Sequence, residues 1–431
     1  MLKREIENSL NEWKANPDKK CLIISGARQV GKTFIVEKFA KENYECFIEI
    51  NFVENPTAKR IFDGDLDIAT ILSNISLYLP EKPRPIPNKT LIFLDEIQAC
   101  PNARTALKFF ALDKRFDVIG SGSLLGLNYE EVSSYPTGYV DFLEMYPLSF
   151  KEFLIANGVD ENVFATLKRC FDNKEPVNDA TNSKLLDYFK RYIVVGGMPN
   201  VVNAFIKNHD FNEVLKLQSY ILIDYKNDIA KYATSSEKVK AKACFESIPG
   251  QLAKENKKFV YKSFDKNGKS QKYSGSINWL IDAGIVNICN NVKAFDLPLI
   301  AYKEENNFKL YMADTGLLVS MLDEGTNVQI MEGNLGIYKG AVFENVIAQI
   351  LHTNGHKLYF YNRNNSLEID FLLSKKGKLI PIEVKANNNK AKSLATILKE
   401  HPDIQGIKLI SGNVGTIRNT LTLPLYMAMF L

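Results

Sequence analysis

The sequence predicts an α/β protein with a parallel sheet near the N-terminus, a mainly helical middle and a second α/β region at the C-terminus. Three observations support this fold class. The first 150 residues alternate short apolar runs with helical patterns, which is typical of a parallel sheet covered by helices. A helical period dominates from 151 to 235, and strand-length apolar runs return over the last hundred residues.

The pattern divides the chain into four predicted domains, at 1–150, 151–235, 236–325 and 326–431. Within the first, strands are predicted at 21–25, 47–51, 91–94 and 118–120, with a helix at 32–42 after the first strand. Ser149 and Glu152 have the spacing of a capping box and predict a helix start at the beginning of the second domain.

The composition excludes several classes of protein. A net charge of +4 over 431 residues is too small to indicate a nucleic-acid partner by itself. The six cysteines form no Cys-x-x-Cys pair, so reduced cytosolic thiols are expected rather than a zinc site or a disulfide scaffold. The N-terminus is polar, and no apolar run approaches the length of a membrane helix. We therefore expect a cytoplasmic protein with no membrane partner.

A loop with the spacing G-x-x-x-x-G-K-[ST] joins the first predicted strand to the first helix. Such a loop turns successive backbone N–H groups toward phosphates at a helix N-terminus. The lysine is expected to bridge the β- and γ-phosphates of ATP, and the threonine hydroxyl to bind Mg²⁺. The residues of this predicted ATP site are Gly26, Ala27, Arg28, Gln29, Val30, Gly31, Lys32 and Thr33.

The strand at 91–94 ends in two acids, Asp95 and Glu96. This arrangement predicts that Asp95 holds the magnesium ion, directly or through water, and that Glu96 polarises the attacking water. Ser121 follows the strand at 118–120 and is a candidate sensor of the γ-phosphate, although a simple turn residue fits the same position. The two motifs together predict an ATPase.

A second group of acids lies in the last predicted domain. Glu383 and Lys385 are two residues apart on an apolar strand, so they share a face. A hairpin with the strand at 367–373 can bring Asp370 beside them. Asp370 and Glu383 could hold a divalent metal, with Lys385 orienting or deprotonating a bound water. The alternative is a solvated strand face on which Glu383 and Lys385 only form an ion pair.

The order of motifs resembles a prokaryotic AAA-type P-loop ATPase family related to archaeal ATPases, whose C-terminal region is of unknown function. Besides the two nucleotide motifs, the segments that carry the resemblance are GSGSLL at 120–125, YPLSFKEF at 146–153, GGMP at 196–199, YMADTG at 311–316, GAVFEN at 340–345 and PIEVK at 381–385. The resemblance implies a P-loop ATPase core, a helical lid segment, a winged-helix-like segment and a C-terminal nuclease-like domain.

The C-terminal acids resemble the PD-(D/E)xK nuclease fold, in which an acid from the preceding helix joins the metal site. Glu344 matches that position. The chain departs from the family at Gly138-Tyr139, where the family usually has Gly-Arg. If that arginine stabilises the γ-phosphate, hydrolysis here is expected to be slow or to depend on another arginine.

The segment 231–272 contains eleven lysines and four acids, a local net charge of 11 − 4 = +7. It leads into a predicted second helix of a winged helix-turn-helix, so its lysines could contact the phosphates of DNA or RNA. Lys375, Lys376 and Lys378 add to this interpretation. The alternative, that these lysines only keep the surface soluble, fits nearly as well.

The leading hypothesis is an ATPase coupled to a nuclease-like domain that acts on nucleic acid. A competing hypothesis is an ATP-gated switch or scaffold whose nuclease-like fold binds nucleic acid or protein without cutting. A third, an AAA-type remodeller of proteins, requires assembly into an oligomeric ring and is disfavoured by Tyr139.

Overall fold

The computed structural model describes residues 2–123, 138–232, 235–334, 336–364, 366–386 and 391–431. The chain divides into two compact units. The N-terminal unit is Lys3–Tyr146 together with Asp282–Gly284, and the C-terminal unit is chiefly Pro147–Ile281 and Ile285–Leu431. Leu124 and Leu125 of the GSGSLL motif, and residues 233 and 234 of the lysine-rich segment, lie outside the described residues.

The N-terminal unit is built on a five-stranded sheet whose strands are all parallel to their neighbours, in the order β2-β3-β4-β1-β5. Its helices are α1 (Ile6–Ala15), α2 (Lys32–Asn43), α3 (Ile68–Tyr78) and α4 (Pro101–Asp113). Its strands are β1 (Cys21–Gly26), β2 (Cys46–Asn51), β3 (Thr90–Asp95), β4 (Asp117–Ser123) and β5 (Val140–Glu144).

Both faces of this sheet are buried. On one face, Leu10 and Trp13 of α1 join Ile35 and Phe39 of α2 over the sheet; on the other, residues of α3 and α4 form a second cluster. All six residues of β1 and of β3 are consequently buried, as expected for central strands of a parallel sheet. The order of the strands inserts β4 between the strand that leads into the phosphate loop and the strand that ends in Asp95.

The C-terminal unit begins with helices and continues into a mixed sheet. Its helices are α5 (Phe150–Ala156), α6 (Glu161–Asn173), α7 (Asp179–Val195), α8 (Pro199–Asn208), α9 (Phe211–Tyr232), α10 (Ser235–Leu252), α11 (Ser270–Asp282), α12 (Thr315–Ser320), α13 (Thr326–Glu332), α14 (Lys339–Thr353) and α15 (Lys392–Glu400). The capping box of Ser149 and Glu152 is present at the start of α5, as predicted.

The sheet of this unit has eight strands in the order β12-β13-β11-β10-β9-β8-β6-β7. They are β6 (Val286–Val292), β7 (Lys303–Met312), β8 (Leu358–Arg363), β9 (Leu367–Lys375), β10 (Lys378–Lys385), β11 (Gly406–Ile410), β12 (Gly415–Ile417) and β13 (Thr420–Pro424). The antiparallel pair β6–β7 extends this sheet through a parallel pairing of β6 with β8. Strands from the predicted winged-helix-like segment and from the predicted last domain therefore share one sheet.

One part of this unit has a simple chain order: α14, the antiparallel strands β8, β9 and β10, then α15, and finally β11 parallel to β10. The α/β fold class is confirmed, with a parallel sheet in the N-terminal unit and a mixed sheet in the C-terminal unit. Within the described residues, no helix combines the length and the apolar character needed to cross a membrane.

Candidate nucleotide site and C-terminal carboxylate cluster

The predicted phosphate loop lies between β1 and α2, with Lys32 and Thr33 in the first turn of α2. Its first glycine is required by close packing, because a Cβ on Gly26 would lie 2.2 Å from the carbonyl oxygen of Met145. The backbone of Met145 is held there by its own N–H, which donates to Ser25 O over 2.8 Å. The loop is therefore backed by the segment that follows β5.

The side chain of Lys32 is buried and points back into the loop. Its Nζ donates to Gly26 O over 3.1 Å and to Ala27 O over 2.9 Å. Burial lowers the pKa of Lys32 to about 8, against the opposing effect of the negative charges of Glu96 and Asp95. Lys32 remains mostly charged at neutral pH, close to the acids that end β3.

Asp95 is the centre of the polar contacts around the loop. Its Oδ2 accepts hydrogen bonds from Thr33 Oγ1 and from Asn51 Nδ2, each over 3.1 Å. Its Oδ1 accepts from the hydroxyl of Ser121 and from the N–H of Glu96. The structure thus brings Thr33, Asp95 and Ser121 together, because β4 lies between β1 and β3.

The hydroxyl of Thr33 and the carboxylate of Asp95 give two adjacent oxygen donors, which are the ligands that Mg²⁺ prefers. Asn51 was not predicted as part of this group. It ends β2, which pairs in parallel with β3 so that Asn51 lies beside Asp95. Its only sequence signal is a polar residue at the carboxyl end of an apolar strand.

Glu96 has a left-handed backbone conformation, with φ of +52°. Its Oε2 accepts a hydrogen bond from Nε2 of Gln98, a residue that was also not predicted to take part. The carbonyl oxygen of the Gln98 amide is buried and has no hydrogen-bond partner in the described part of the chain. Gln98 ends the segment LDEIQ at 94–98, which contains both acids. Its place two residues after Glu96 was the available sequence signal.

Tyr139 lies far from the phosphate loop of its own chain. It precedes β5, and the first residue of β5, Val140, pairs with Cys21 at the start of β1. The phosphate loop follows the other end of β1, five residues further on, which is roughly 16 Å along a strand. An arginine at position 139 would therefore lie at the opposite end of the strands from the phosphate loop. The concern that Tyr139 removes a γ-phosphate contact does not apply within this chain.

A buried arginine outside the predicted motifs also supports the loop. Arg4 precedes α1, and its Nη1 donates to Val30 O over 3.0 Å while its Nη2 donates to Tyr146 O over 2.7 Å. These charge-assisted bonds link the loop to the segment after β5. A lone arginine in a polar N-terminal stretch gives no sequence signal for this role.

In the C-terminal unit, the antiparallel register of β9 and β10 pairs Phe371 with Ile382. Continuing this register by one residue sets Asp370 opposite Glu383. Asp370 Oδ2 accepts from Val384 N over 2.7 Å. Lys385 Nζ lies 2.8 Å from Glu383 Oε1. The structure therefore brings the three residues predicted on these strands together.

Glu344 of α14 lies in the same cluster, but both of its oxygens are already in polar contacts. Lys257 Nζ lies 2.7 Å from Oε1, while Lys309 Nζ lies 3.4 Å from Oε2. Tyr311 donates to Oε2 over 3.1 Å. Lys309 is fully buried and also pairs with Glu368 over 2.6 Å. Sequence reasoning missed these two lysines because they come from distant segments of the chain.

The pKa values of two acids in this cluster, Asp370 and Glu344, are shifted in opposite directions. Burial and the negative charge of Glu344 raise the pKa of Asp370, against the effects of Lys309 and Lys385. Burial would also raise the pKa of Glu344, but Lys309 and Lys257 outweigh it and lower that pKa. Among the described residues, no group of three or more His, Cys, Asp or Glu side chains is arranged to hold a metal ion.

The carboxylates of this cluster are therefore a poor fit to a metal in this conformation. Glu383 uses its second oxygen, Oε2, to accept from Leu394 N over 3.0 Å, so a metal would have to displace existing donors. Two lysines of the lysine-rich segment are also paired with acids of the same chain. Lys257 pairs with Glu344, and Lys272 pairs with Asp265 over 2.7 Å.

Comparison with known proteins agrees with the N-terminal geometry. Residues 18–154 match a family model described as an AAA domain. Residues 186–327 and 339–421 match two models that are each described as a domain of unknown function, DUF8612 and DUF4143. The uncharacterized protein MJ1544 of Methanocaldococcus jannaschii is 23% identical over 424 residues, which cover 95% of this chain and 86% of that protein.

Two solved structures show a weaker likeness. The Walker-type ATPase PABY2304 of Pyrococcus abyssi has a TM-score of 0.43 and 13% identity, covering 74% of this chain and 96% of that chain. The ORC1 protein of Aeropyrum pernix, solved in complex with DNA, has a TM-score of 0.30 and 14% identity, covering 77% and 92%. Neither likeness is high enough to carry a conclusion. The AAA domain and its P-loop fold support binding and hydrolysis of ATP.

Proposed function

We propose that the chain binds and hydrolyses ATP at the loop between β1 and α2, and that nucleotide state controls a C-terminal unit acting on nucleic acid. The observation that carries the first part is the contact between Thr33 and Asp95, 3.1 Å apart. These residues are 62 positions apart in the sequence, and the strand order β3-β4-β1 brings them together. Mg²⁺, when bound there with ATP, supplies positive charge to the phosphates.

In this proposal each residue of the site has one role. The ammonium of Lys32 turns from Gly26 O and Ala27 O toward the β- and γ-phosphates, which are stronger acceptors. Thr33 and Asp95 hold the ion. Ser121, on the strand β4 that lies between β1 and β3, responds to the γ-phosphate. Glu96 accepts a proton from the attacking water.

The test separates binding from turnover. Glu96→Gln keeps the size and polarity of the side chain but cannot accept a proton, so ATP binds with wild-type affinity while kcat falls by roughly 10²-fold or more. Calorimetry gives the affinity, and phosphate release gives the rate. Hydrolysis by Glu96→Gln at the wild-type rate would rule out Glu96 as the base.

For the C-terminal unit, we propose a nuclease-like domain that contacts DNA or RNA. The order α14, β8, β9, β10, α15 and β11 supports the nuclease-like fold, and the grouping of Asp370, Glu383 and Lys385 supports a site at the end of β10. Lys375, Lys376 and Lys378 in the β9–β10 turn are exposed, as are several lysines of the lysine-rich segment, and would contact phosphates.

A second candidate is favoured by a specific observation: two acids of this cluster, Glu344 and Glu383, already have cationic partners. Lys257 and Lys309 neutralise Glu344, and Lys385 neutralises Glu383. A cluster that is balanced by its own ammonium groups has little need of a divalent ion. The domain would then bind nucleic acid or protein under ATP control without cutting.

Cleavage assays distinguish the two candidates. A labelled panel of DNA and RNA is incubated with Mg²⁺ or Mn²⁺, with and without ATP. If the domain cuts, Asp370→Ala and Glu383→Ala abolish cleavage, and Lys385→Ala slows it. Cleavage that survives both acid substitutions assigns the activity to a contaminant or to another site. Binding of the labelled DNA or RNA without cleavage supports the binding-only candidate.

A further inference from the structure

The feature that the proposed function does not use is the amide of Gln98, next to Glu96. Gln98 lies in the short 3-10 turn Ile97–Ala99 that follows β3, and only 7% of the residue is exposed. Its Nε2 donates to Glu96 Oε2, and its own carbonyl oxygen has no partner among the described residues. Within the described part of the chain, the polar contact of this buried amide is therefore with Glu96 alone.

The two carboxylate oxygens of Glu96 have different surroundings. Oε2 is occupied by Gln98, whereas Oε1 accepts no hydrogen bond within the described part of the chain. A carboxylate that takes a proton from water needs one oxygen directed at that water with a fixed orientation. Glu96 has three rotatable side-chain bonds, and a donor on one oxygen removes much of that freedom.

The backbone near Glu96 adds to this constraint. The left-handed conformation of Glu96 and the bond from its N–H to Asp95 Oδ1 fix the start of its side chain. Gln98 then fixes the far end. The side chain of Glu96 is therefore held at its backbone end and at its carboxylate. Glu96 directly follows Asp95, the residue that contacts Thr33.

We propose that Gln98 is a positioning residue for ATP hydrolysis, which holds the carboxylate of Glu96 so that Oε1 faces the attacking water. This inference rests on the proposed role of Glu96 as the base. Gln98 itself contacts neither the nucleotide nor the water, so its effect falls on turnover and not on ATP affinity.

The main variant is Gln98→Leu, which removes the donor but keeps an apolar side chain of similar size in a buried place. We expect kcat to fall about tenfold or more, while the Kd for ATP stays within about twofold of the wild-type value. The double variant Glu96→Gln with Gln98→Leu is expected to be no slower than Glu96→Gln alone, because Gln98 acts through Glu96.

A second variant, Gln98→Glu, gives a readout that a packing role would not move. The introduced carboxyl repels Glu96 when ionised but donates a hydrogen bond to it when protonated. The rate of this variant relative to wild type should therefore rise as the pH falls from 8 to 6. A flat ratio overturns the inference, as does a Gln98→Leu rate equal to wild type.

The outcomes separate the inference from the proposed function. If Glu96→Gln is slow but Gln98→Leu hydrolyses normally, positioning by Gln98 is wrong and the base assignment stands. If Gln98→Leu loses ATP affinity and kcat by the same factor, Gln98 is structural and the inference fails. If Glu96→Gln is unaffected, or the parent chain hydrolyses no ATP, the proposed function fails and the inference with it.

Discussion

Lys32 shows how much a single side chain depends on its surroundings. Its ammonium donates to two backbone carbonyls of the loop, which are neutral acceptors. Phosphate oxygens of ATP are charged and therefore stronger acceptors. Because burial lowers the pKa of Lys32 to about 8, a change of partner also changes the protonation of this group near pH 8.

We expect ATP binding at pH 8 to take up about half a proton, because roughly half of the lysine is neutral there and the phosphates raise its pKa. Titration calorimetry in two buffers with different ionisation enthalpies measures this uptake. Lys32→Arg, which stays charged, should show none, and Lys32→Ala should lose about 1.5–3 kcal/mol of binding free energy. Equal binding heats of the wild type in both buffers would contradict the prediction.

Residue-scale prediction from sequence reached the groups that lie inside a local motif. Lys32, Thr33, Asp95 and Glu96 follow from two contiguous segments whose chemistry depends on spacing alone. Asn51 was missed because its contact with Asp95 comes from the pairing of β2 with β3. The roles of the predicted site residues remain predictions until the variants are measured.

At the scale of elements, the GGMP and YMADTG segments meet in the C-terminal unit. Asp314 Oδ2 accepts from Gly197 N over 2.6 Å, and its Oδ1 accepts from Leu317 N at the start of α12 over 3.0 Å. Gly197 O in turn accepts from Leu148 N over 2.7 Å. A Cβ on Gly197 would lie 2.3 Å from Leu148 O, so only glycine allows the three segments to approach this closely.

Asp314 should make stability depend on pH. Burial raises its pKa to about 6, against the backbone N–H groups that lower it, whereas about 3.9 is expected in the unfolded chain. The folded protein therefore binds more protons between these two values. The contribution of this group to the free energy of unfolding falls by about 2 kcal/mol as the pH rises from 4 to 6.

Asp314→Asn removes this titration. We expect the difference in unfolding free energy, wild type minus variant, to increase as the pH is lowered from 7 toward 4.5. Urea unfolding of both proteins at several pH values measures it, and effects of other carboxylates cancel in the difference. A flat difference for Asp314→Asn would show that Asp314 is ionised in both states.

Element-scale prediction was good where the pattern is local and incomplete where it is not. The helix at 32–42 and the strands around Asp370 and Glu383 were expected, and α2, β9 and β10 match them. The edge strand β5 was not predicted, because its alternating burial gives no long apolar run. The pairing of β6 with β8 was not predicted either, since it joins residues about seventy positions apart.

At the scale of the whole molecule, the nucleotide site and the carboxylate cluster belong to different units. Every predicted nucleotide residue lies within Lys3–Tyr146, and Lys257, Lys309, Glu344 and Asp370 lie in the other unit. Lys309 is the most deeply buried charge of that cluster and has two carboxylate partners. Loss of a buried cation leaves its partners uncompensated, which is costly.

Lys309→Met is therefore expected to lower the stability of the C-terminal unit by about 3–5 kcal/mol while leaving ATP affinity unchanged. Urea unfolding followed by tryptophan fluorescence resolves the units, since Trp13 lies in one and Trp279 in the other. Lys262→Met, at an exposed position of the lysine-rich segment, is the control. A parallel loss of ATP affinity would contradict the separation of the two sites.

The contacts of Asp314 and Tyr426 have a consequence for synthesis on the ribosome. The N–H of Gly197 donates to Asp314, which is synthesised 117 residues later. Asn182 of α7 accepts from the hydroxyl of Tyr426, which is synthesised 244 residues later. At about 5–20 residues per second, these delays are roughly 6–23 s and 12–49 s. The helices from α5 to α9 thus leave the ribosome well before their partners exist. A nascent chain halted before residue 314 should expose these helices to chaperones, whereas the N-terminal sheet already has all five of its strands.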